Sequence, residues 1–341
     1  MQRLFYCWRW LWFVLHFLMR EKTVPKGKIV IAIGGNSLVK NNKQPSTFHK
    51  QLQTVQETTK NIAKIVCMGY RVVITHGNGP QVGDILIRSF LTRSLLPDIP
   101  LEMANAITQS EIGFMIQQGL KNELIDNKCD AEVATIVTQV KVSKKDPAFV
   151  NFTKPVGPFY SKREAFALQN ERKWVMREDA GRGYRRMVSS PLPISIVEIG
   201  AIRALIDNNT IVIAGGGGGI PVIQRKDDQY SSVAAVIDKD LTSALLADNI
   251  DADIFLISTS IDCVYLNYNK PDQKALHKIT LSQAKEYYKQ GHFEAGSMGP
   301  KIMAAIKFLN SKPNRQVIIT SPANIAQSVK DKRIGTHIVN D

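Results

Sequence analysis

The stretch Lys28-Ile29-Val30-Ile31-Ala32-Ile33-Gly34-Gly35-Asn36 decides the fold. Its apolar residues do not alternate with polar ones, so the strand they form has no face left for water. Such strands belong to parallel sheets covered by helices on both sides. The run stops on glycine, and the pattern recurs twice. Arg71-Val72-Val73-Ile74-Thr75 leads into Gly77-Asn78-Gly79-Pro80, and Thr210-Ile211-Val212-Ile213-Ala214 leads into the glycines at 215–219. Loops without Cβ atoms let backbone N–H groups close on an oxyanion, and a helix that follows adds partial positive charge. Three such loops imply a site that grips several anionic oxygens at once, as phosphoryl transfer requires.

Helical spacing fills the intervals. Phe48, Leu52, Val55, Ile62, Ile65 and Val66 mark one helix, and Ile196, Ile199, Ile202, Leu205 and Ile206 mark another. Residues 80–93, 101–126 and 238–248 also read as helices, and Pro300 suits the first position of a helix over 301–309. Further strands are expected at 132–140, 253–259, 316–320 and 336–339. The alternation predicts an α/β fold, a three-layer α/β/α sandwich around a mainly parallel open sheet. Ligands of such sheets bind beyond the carboxyl ends of the strands, where all three glycine loops fall.

Residues 139–193 break the rhythm, being rich in Pro, Gly and charge. Phe149, Phe152, Phe159, Tyr160, Trp174 and Tyr184 within them argue for packing, so a small protruding subdomain is expected at approximately 140–192. It interrupts a domain spanning 26–341.

The net charge of +14 is local. Residues 1–28 hold six Lys/Arg against one Glu, and residues 141–186 hold twelve against five acids. The remainder is close to neutral, which is not the footprint of a nucleic-acid binder. Cys7, Cys67, Cys129 and Cys263 lie far apart with no CxxC pair, so neither disulfides nor a zinc site is expected, and a reducing, cytoplasmic setting fits. The apolar run at 4–19 is short for a membrane span and contains Arg9 and His16. An interfacial anchor or an aberrant signal sequence is one reading; an upstream start, with translation from near Met19, is the favoured one. Residues 1–25 are therefore left out of the fold, and no stable membrane insertion is expected.

No Walker motif is present, and neither Gly77-x-Gly79 nor Gly215-x-Gly217 extends to GxGxxG. Lysines beside special backbone carry the remaining signal: Asp238-Lys239-Asp240 opening one helix, and Gly296-Ser297-Met298-Gly299-Pro300-Lys301 opening another. Fixed cations lower the barrier to transfer of a charged phosphoryl group. Asp240 could orient two such lysines, or simply complement a helix N-terminus.

With these segments the chain resembles the carbamate kinases of the amino-acid-kinase superfamily. The matching stretches also include Thr75 to Gly83, Asp146-Pro147-Ala148-Phe149, Thr153 to Tyr160, Arg177 to Gly183, and Gly216-Gly217-Gly218-Gly219-Ile220-Pro221-Val222. The resemblance runs in order from about Lys28 to the C-terminus. It implies an eight-stranded sheet, a homodimer, and phosphate transfer between ATP and carbamate to give ADP and carbamoyl phosphate. It also implies Mg²⁺ held mainly by the nucleotide, with no protein metal site. In many organisms the family runs towards ATP at the end of arginine breakdown. By position, Lys145, Lys239, Asp240 and Lys301 are implied as catalytic. Gly34, Gly35 and Asn36 would line the transferred phosphate, and Gly77, Asn78, Gly79 and Lys154 the carbamate. Gly216, Gly217, Gly218, Gly219, Met298 and Gly299 would lie by the nucleotide, with Val264, Tyr265 and Tyr268 near the adenine.

Carbamate is already an anion, so a site rich in lysine without an evident base suits it. Blander readings stand beside these. His76 reads as a loop residue satisfied by backbone, Arg182, Arg185 and Arg186 as substrate contacts or, the favoured reading, as solvating charge, and Tyr265 with Tyr268 as packing. The rival functions are a kinase of the same fold for another small acceptor, and a nucleotide-binding sensor.

Overall fold

The computed structural model describes residues 25–35, 47–178, 183–294 and 296–341. The expectations for residues 1–24, Asn36 and Arg182 lie outside these. The main sheet has eight strands in the order β15-β17-β16-β12-β1-β2-β9-β3. They are β1 (Gly27–Ile33), β2 (Tyr70–His76), β3 (Glu132–Thr135), β9 (Thr210–Ile213), β12 (Ile254–Ser258), β15 (Lys278–Thr280), β16 (Gln316–Thr320) and β17 (Thr336–Val339). All neighbours pair parallel except β16 with β17. The chain runs outward from β1 in one direction through β2 and in the other through β12, which makes β1 the switch point.

Alternate residues of each strand enter opposite cores. Ile29, Ile31, Ile33, Ile74, Ile213 and Leu256 face one layer, built on α1 (Phe48–Cys67) and the long α3 (Leu101–Asp126). Val30, Ala32, Val73, Val212, Phe255 and Ile257 face the other. That layer holds α5 (Ile199–Asp207), α6 (Lys239–Asn249), α7 (Leu281–Lys289) and α8 (Met298–Ser311). Burial on both faces is why these strands read as unbroken apolar runs.

The run at 132–140 is two strands rather than one. Gln109 of α3 donates to the Thr138 carbonyl and accepts from its N–H (3.1 and 2.7 Å), turning the chain between β3 and β4 (Gln139–Lys141). The second strand joins a four-stranded sheet with β8 (Ser195–Ile196), β10 (Ile220–Gln224) and β11 (Tyr230–Ser232). A three-stranded sheet is formed by β5 (Lys154–Tyr160), β6 (Val175–Glu178) and β7 (Tyr184–Val188), with α4 (Lys162–Arg172) between β5 and β6. Val156 and Val188 seat it on Val82 and Ile85 of α2 (Gly79–Thr92). Short β13 (Val264–Leu266) and β14 (Lys274–Leu276) form a hairpin, and α9 (Ile325–Lys330) precedes β17.

Two further expectations are corrected. Helix α8 starts at Met298, so Pro300 sits inside its first turn. A disulfide joins Cys67 to Cys129, with Cα atoms 5.9 Å apart. Helices α1 and α3 share one core and end at the same edge, which brings together cysteines 62 residues apart in sequence. Among the described residues Cys263 is a buried free thiol, and no helix is long and apolar enough to cross a membrane.

Candidate active site

The carboxyl ends of β1, β2, β9 and β12 meet at a cavity of about 490 Å³. Gly34 and Gly35 line it from β1, Gly77, Asn78 and Gly79 from β2, and Gly217 from beyond β9. Ser258, Thr259 and Ser260 close it from β12. Helices α2, α6 and α8 begin at this rim, at Gly79, Lys239 and Met298. Their first N–H groups and dipole ends make the cavity an anion seat.

The first two glycine loops touch. A Cβ on Gly77 would stand 2.7 Å from the Gly35 nitrogen, so only glycine permits this approach. Gly217 has φ +63°, and a Cβ there would fall 2.1 Å from Asn78 Nδ2 and 2.4 Å from Asn105 Oδ1.

Three lysines line the cavity: Lys154, Lys239 and Lys301. Asp240, itself buried, takes Lys239 Nζ on one oxygen at 2.6 Å and Lys301 Nζ on the other at 3.2 Å. Burial works to raise the Asp240 pKa, but the two ammonium groups prevail and hold it at about 2. Burial draws Lys239 below the usual lysine value, against the pull of Asp240. Lys154 Nζ pairs with Asp238 Oδ2 at 3.0 Å, while the other oxygen of Asp238 caps α6 through Asp240 N and Leu241 N. Asp238 thus ties a strand of the three-stranded sheet to the cavity, a role the sequence reading missed.

His76 is wedged beneath the floor, its Nδ1 3.1 Å from the Gly77 carbonyl oxygen and its Nε2 against Gly216. Burial lowers its pKa to about 4, so it is neutral; the backbone partner of its blander reading is present, though His76 ends β2 rather than lying in a loop. Arg185 and Arg186 depart from theirs. Arg185 lines the cavity and donates to the Gly157 carbonyl at 3.2 Å, and Arg186 lies over the Trp174 ring.

Gly216 to Gly219 are buried, and α3 fastens them: Gln109 donates to the Gly216 carbonyl (3.1 Å) and Asn105 to that of Gly219 (2.6 Å). Asn105, Thr108 and Gln109 were not anticipated, because they sit inside an apolar helical pattern. Other implied residues lie off the cavity lining. Lys145 is exposed in a turn where its N–H meets Ser143 Oγ. Val264 is buried and its N–H bonds Thr336 Oγ1. Tyr265 and Tyr268 lie with ring centres 5.8 Å apart and planes tilted by 41°, and Met298 and Gly299 open α8.

Comparison with known proteins fits this geometry. The amino acid kinase family model matches residues 27–321. The chain is 47% identical over 293 residues to a carbamate kinase of Pyrococcus horikoshii, covering 85% of this chain and 93% of that one. It is 46% identical over 319 residues to one of Thermococcus kodakarensis, covering 92% and 99%. The solved structure of carbamate kinase from Giardia lamblia bound to AMP-PNP superposes with a TM-score of 0.86 at 42% identity, covering 92% of this chain and 99% of that one. With its sheet order, its touching glycine loops and the two lysines on Asp240, the chain belongs to the amino acid kinase family, among the carbamate kinases.

Proposed function

We propose that this protein moves a phosphoryl group reversibly between ATP and carbamate, giving ADP and carbamoyl phosphate. The carrying observation is the character of the cavity wall. Three lysines and glycine amides surround it, and among the described residues its lining holds no His, Asp or Glu. Such a wall offsets repulsion between anions and offers no base, which suits a nucleophile with no proton to lose.

In this reading Lys239 and Lys301 hold the charge of the phosphoryl group in flight, and Asp240 keeps both charged and aimed. Gly34, Gly35 and Asn36 seat that group. Gly77, Asn78, Gly79 and Lys154 seat the carbamate. Gly216 to Gly219, Met298 and Gly299 run beside the nucleotide, with Val264, Tyr265 and Tyr268 towards the adenine. The segment 140–192 acts as a subdomain that closes over the site and brings Lys145 to it. Mg²⁺ fits as an ion held by nucleotide phosphates, since among the described residues no three His, Cys, Asp or Glu gather and Asp240 already serves two lysines. When bound it would offset phosphate charge.

The homodimer finds support in an exposed apolar stripe on α3, formed by Met103, Ile107, Phe114 and Ile125. ATP synthesis at the end of arginine catabolism, in the cytoplasm, is the physiological role proposed. The test is ATP formation from ADP and carbamoyl phosphate with Mg²⁺. Mg²⁺-dependent ATP production supports the reading. A folded, ADP-binding protein that produces none has another acceptor, to be sought with acetylglutamate and aspartate, or is a sensor.

A further inference from the structure

Asn78 sits at the cavity wall in a buried trio with Asn105 and Thr108. The orientation of its amide follows from its neighbours. The Asn105 amide meets the Gly219 carbonyl oxygen at 2.6 Å. A carbonyl only accepts, so nitrogen faces Gly219 and Asn105 Oδ1 faces Asn78. Thr108 gives its hydroxyl proton to the Asn105 carbonyl at 2.8 Å, leaving its oxygen to accept. Both neighbours therefore require a donor from Asn78. Its Nδ2 supplies them, at 2.6 Å to Asn105 Oδ1 and 2.8 Å to Thr108 Oγ1. A flipped amide would set oxygen against two oxygens. Both amide protons are thus spent inward, and Asn78 Oδ1 has no partner among the described residues. Gly217, lacking a Cβ, makes the room for this arrangement.

Glycine N–H groups, lysines and helix N-termini furnish the site mainly with donors, and the hydroxyls of Ser258, Thr259, Ser260 and Ser297 can turn either way. Asn78 Oδ1 differs in being an acceptor locked in that sense, which suits a small molecule that carries an N–H. We propose that Asn78 Oδ1 accepts a hydrogen bond from the NH₂ group of the acceptor. Asn105 and Thr108 are positioning residues that hold it in that sense. The trio then selects carbamate and carbamoyl phosphate over acetate and acetyl phosphate, which have the same shape with methyl in place of NH₂. This rests on the function proposed above. A methyl group facing Asn78 would strip water from the amide oxygen and return nothing.

The experiment compares kcat/KM for ATP formation from ADP with carbamoyl phosphate and with acetyl phosphate. The wild-type protein should prefer carbamoyl phosphate. In Asn78→Ala that preference should shrink by about 10–100-fold, the loss falling on carbamoyl phosphate. Thr108→Val, which removes one of the two acceptors holding the amide and leaves the fastenings of the glycine run in place, should shift the ratio the same way. Equal losses on both donors would make the trio a structural prop and overturn the inference. If either variant fails to fold, the wild-type ratio decides, since equal use of both donors also overturns it. A folded, ADP-binding wild type that makes no ATP from carbamoyl phosphate removes the functional reading itself, a result distinct from lost discrimination.

Discussion

Lys239 and Lys301 approach one carboxylate from its two different oxygens, so Asp240 sets the separation of the two ammonium groups. They come from the first turns of separate helices, α6 and α8. The carboxylate is the joint between those helices at the rim of the cavity.

Removing one of these cations should be costly. Lys301→Ala is expected to lower kcat for ATP formation by about 10²–10³-fold, as loss of one electrostatic stabiliser does. Steady-state kinetics with carbamoyl phosphate and ADP give the answer, and an unchanged kcat would take Lys301 out of the machinery.

Acid should loosen the joint in a defined window. The folded-state pKa of Asp240 is about 2, below its ordinary 3.8, so the folded protein binds this proton more weakly than the unfolded chain. Its contribution is complete above about pH 4 and is lost as pH falls towards 2, amounting to about 2 kcal/mol. Urea midpoints of wild type and Asp240→Asn across pH 2–5 should converge as the pH drops. A constant gap between them would contradict the assignment.

His76 should be silent near neutrality. Burial holds it neutral, with its pKa lowered to about 4, so no imidazole titration between pH 5 and 8 should belong to it in NMR spectra. The unfolded chain takes up this proton first as pH falls below about 6.5, so stability should decline with acid from there towards 4. An inflection in kcat near pH 6.5 that disappears in His76→Gln would instead make it a proton-transfer group.

Gly217→Ala should re-aim Asn78. The new Cβ has no space beside Asn78 Nδ2, and φ +63° is strained for alanine. Displacement on the ångström scale should cut kcat/KM for carbamoyl phosphate by about 10²-fold. Retained activity would show that the loop absorbs the methyl group.

The bridge between Cys67 and Cys129 should appear in thiol counts. Protein denatured without reductant should show two fewer reactive thiols than after reduction. Equal counts would mean that the pair stays reduced.

The sheet was legible because Ile29 to Ile33 and their counterparts are buried on both faces, which leaves an unmistakable apolar run. The glycine loops were legible because close approach excludes every other residue at Gly77. The clamp of Asn105, Thr108 and Gln109 was not, since polar residues on the buried side of α3 leave that helix without an amphipathic pattern to read. Cys67 and Cys129 were not, since only the packing of α1 on α3 makes them neighbours. Asp238 hid as an ordinary helix cap, and its hold on Lys154 depends on where β5 arrives.

Helix α3 has two trades. Its inner side fastens the glycine run through Asn105 and Gln109, while Met103, Ile107 and Phe114 stand in the open on its other side, 53, 38 and 51% exposed. Those two sides are separated by the thickness of one helix, about 10 Å. A load applied to the outer side falls on a stiff rod whose opposite side holds the glycine run. Crowding, pairing or mutation on that outer surface therefore has a short mechanical route to the chemistry.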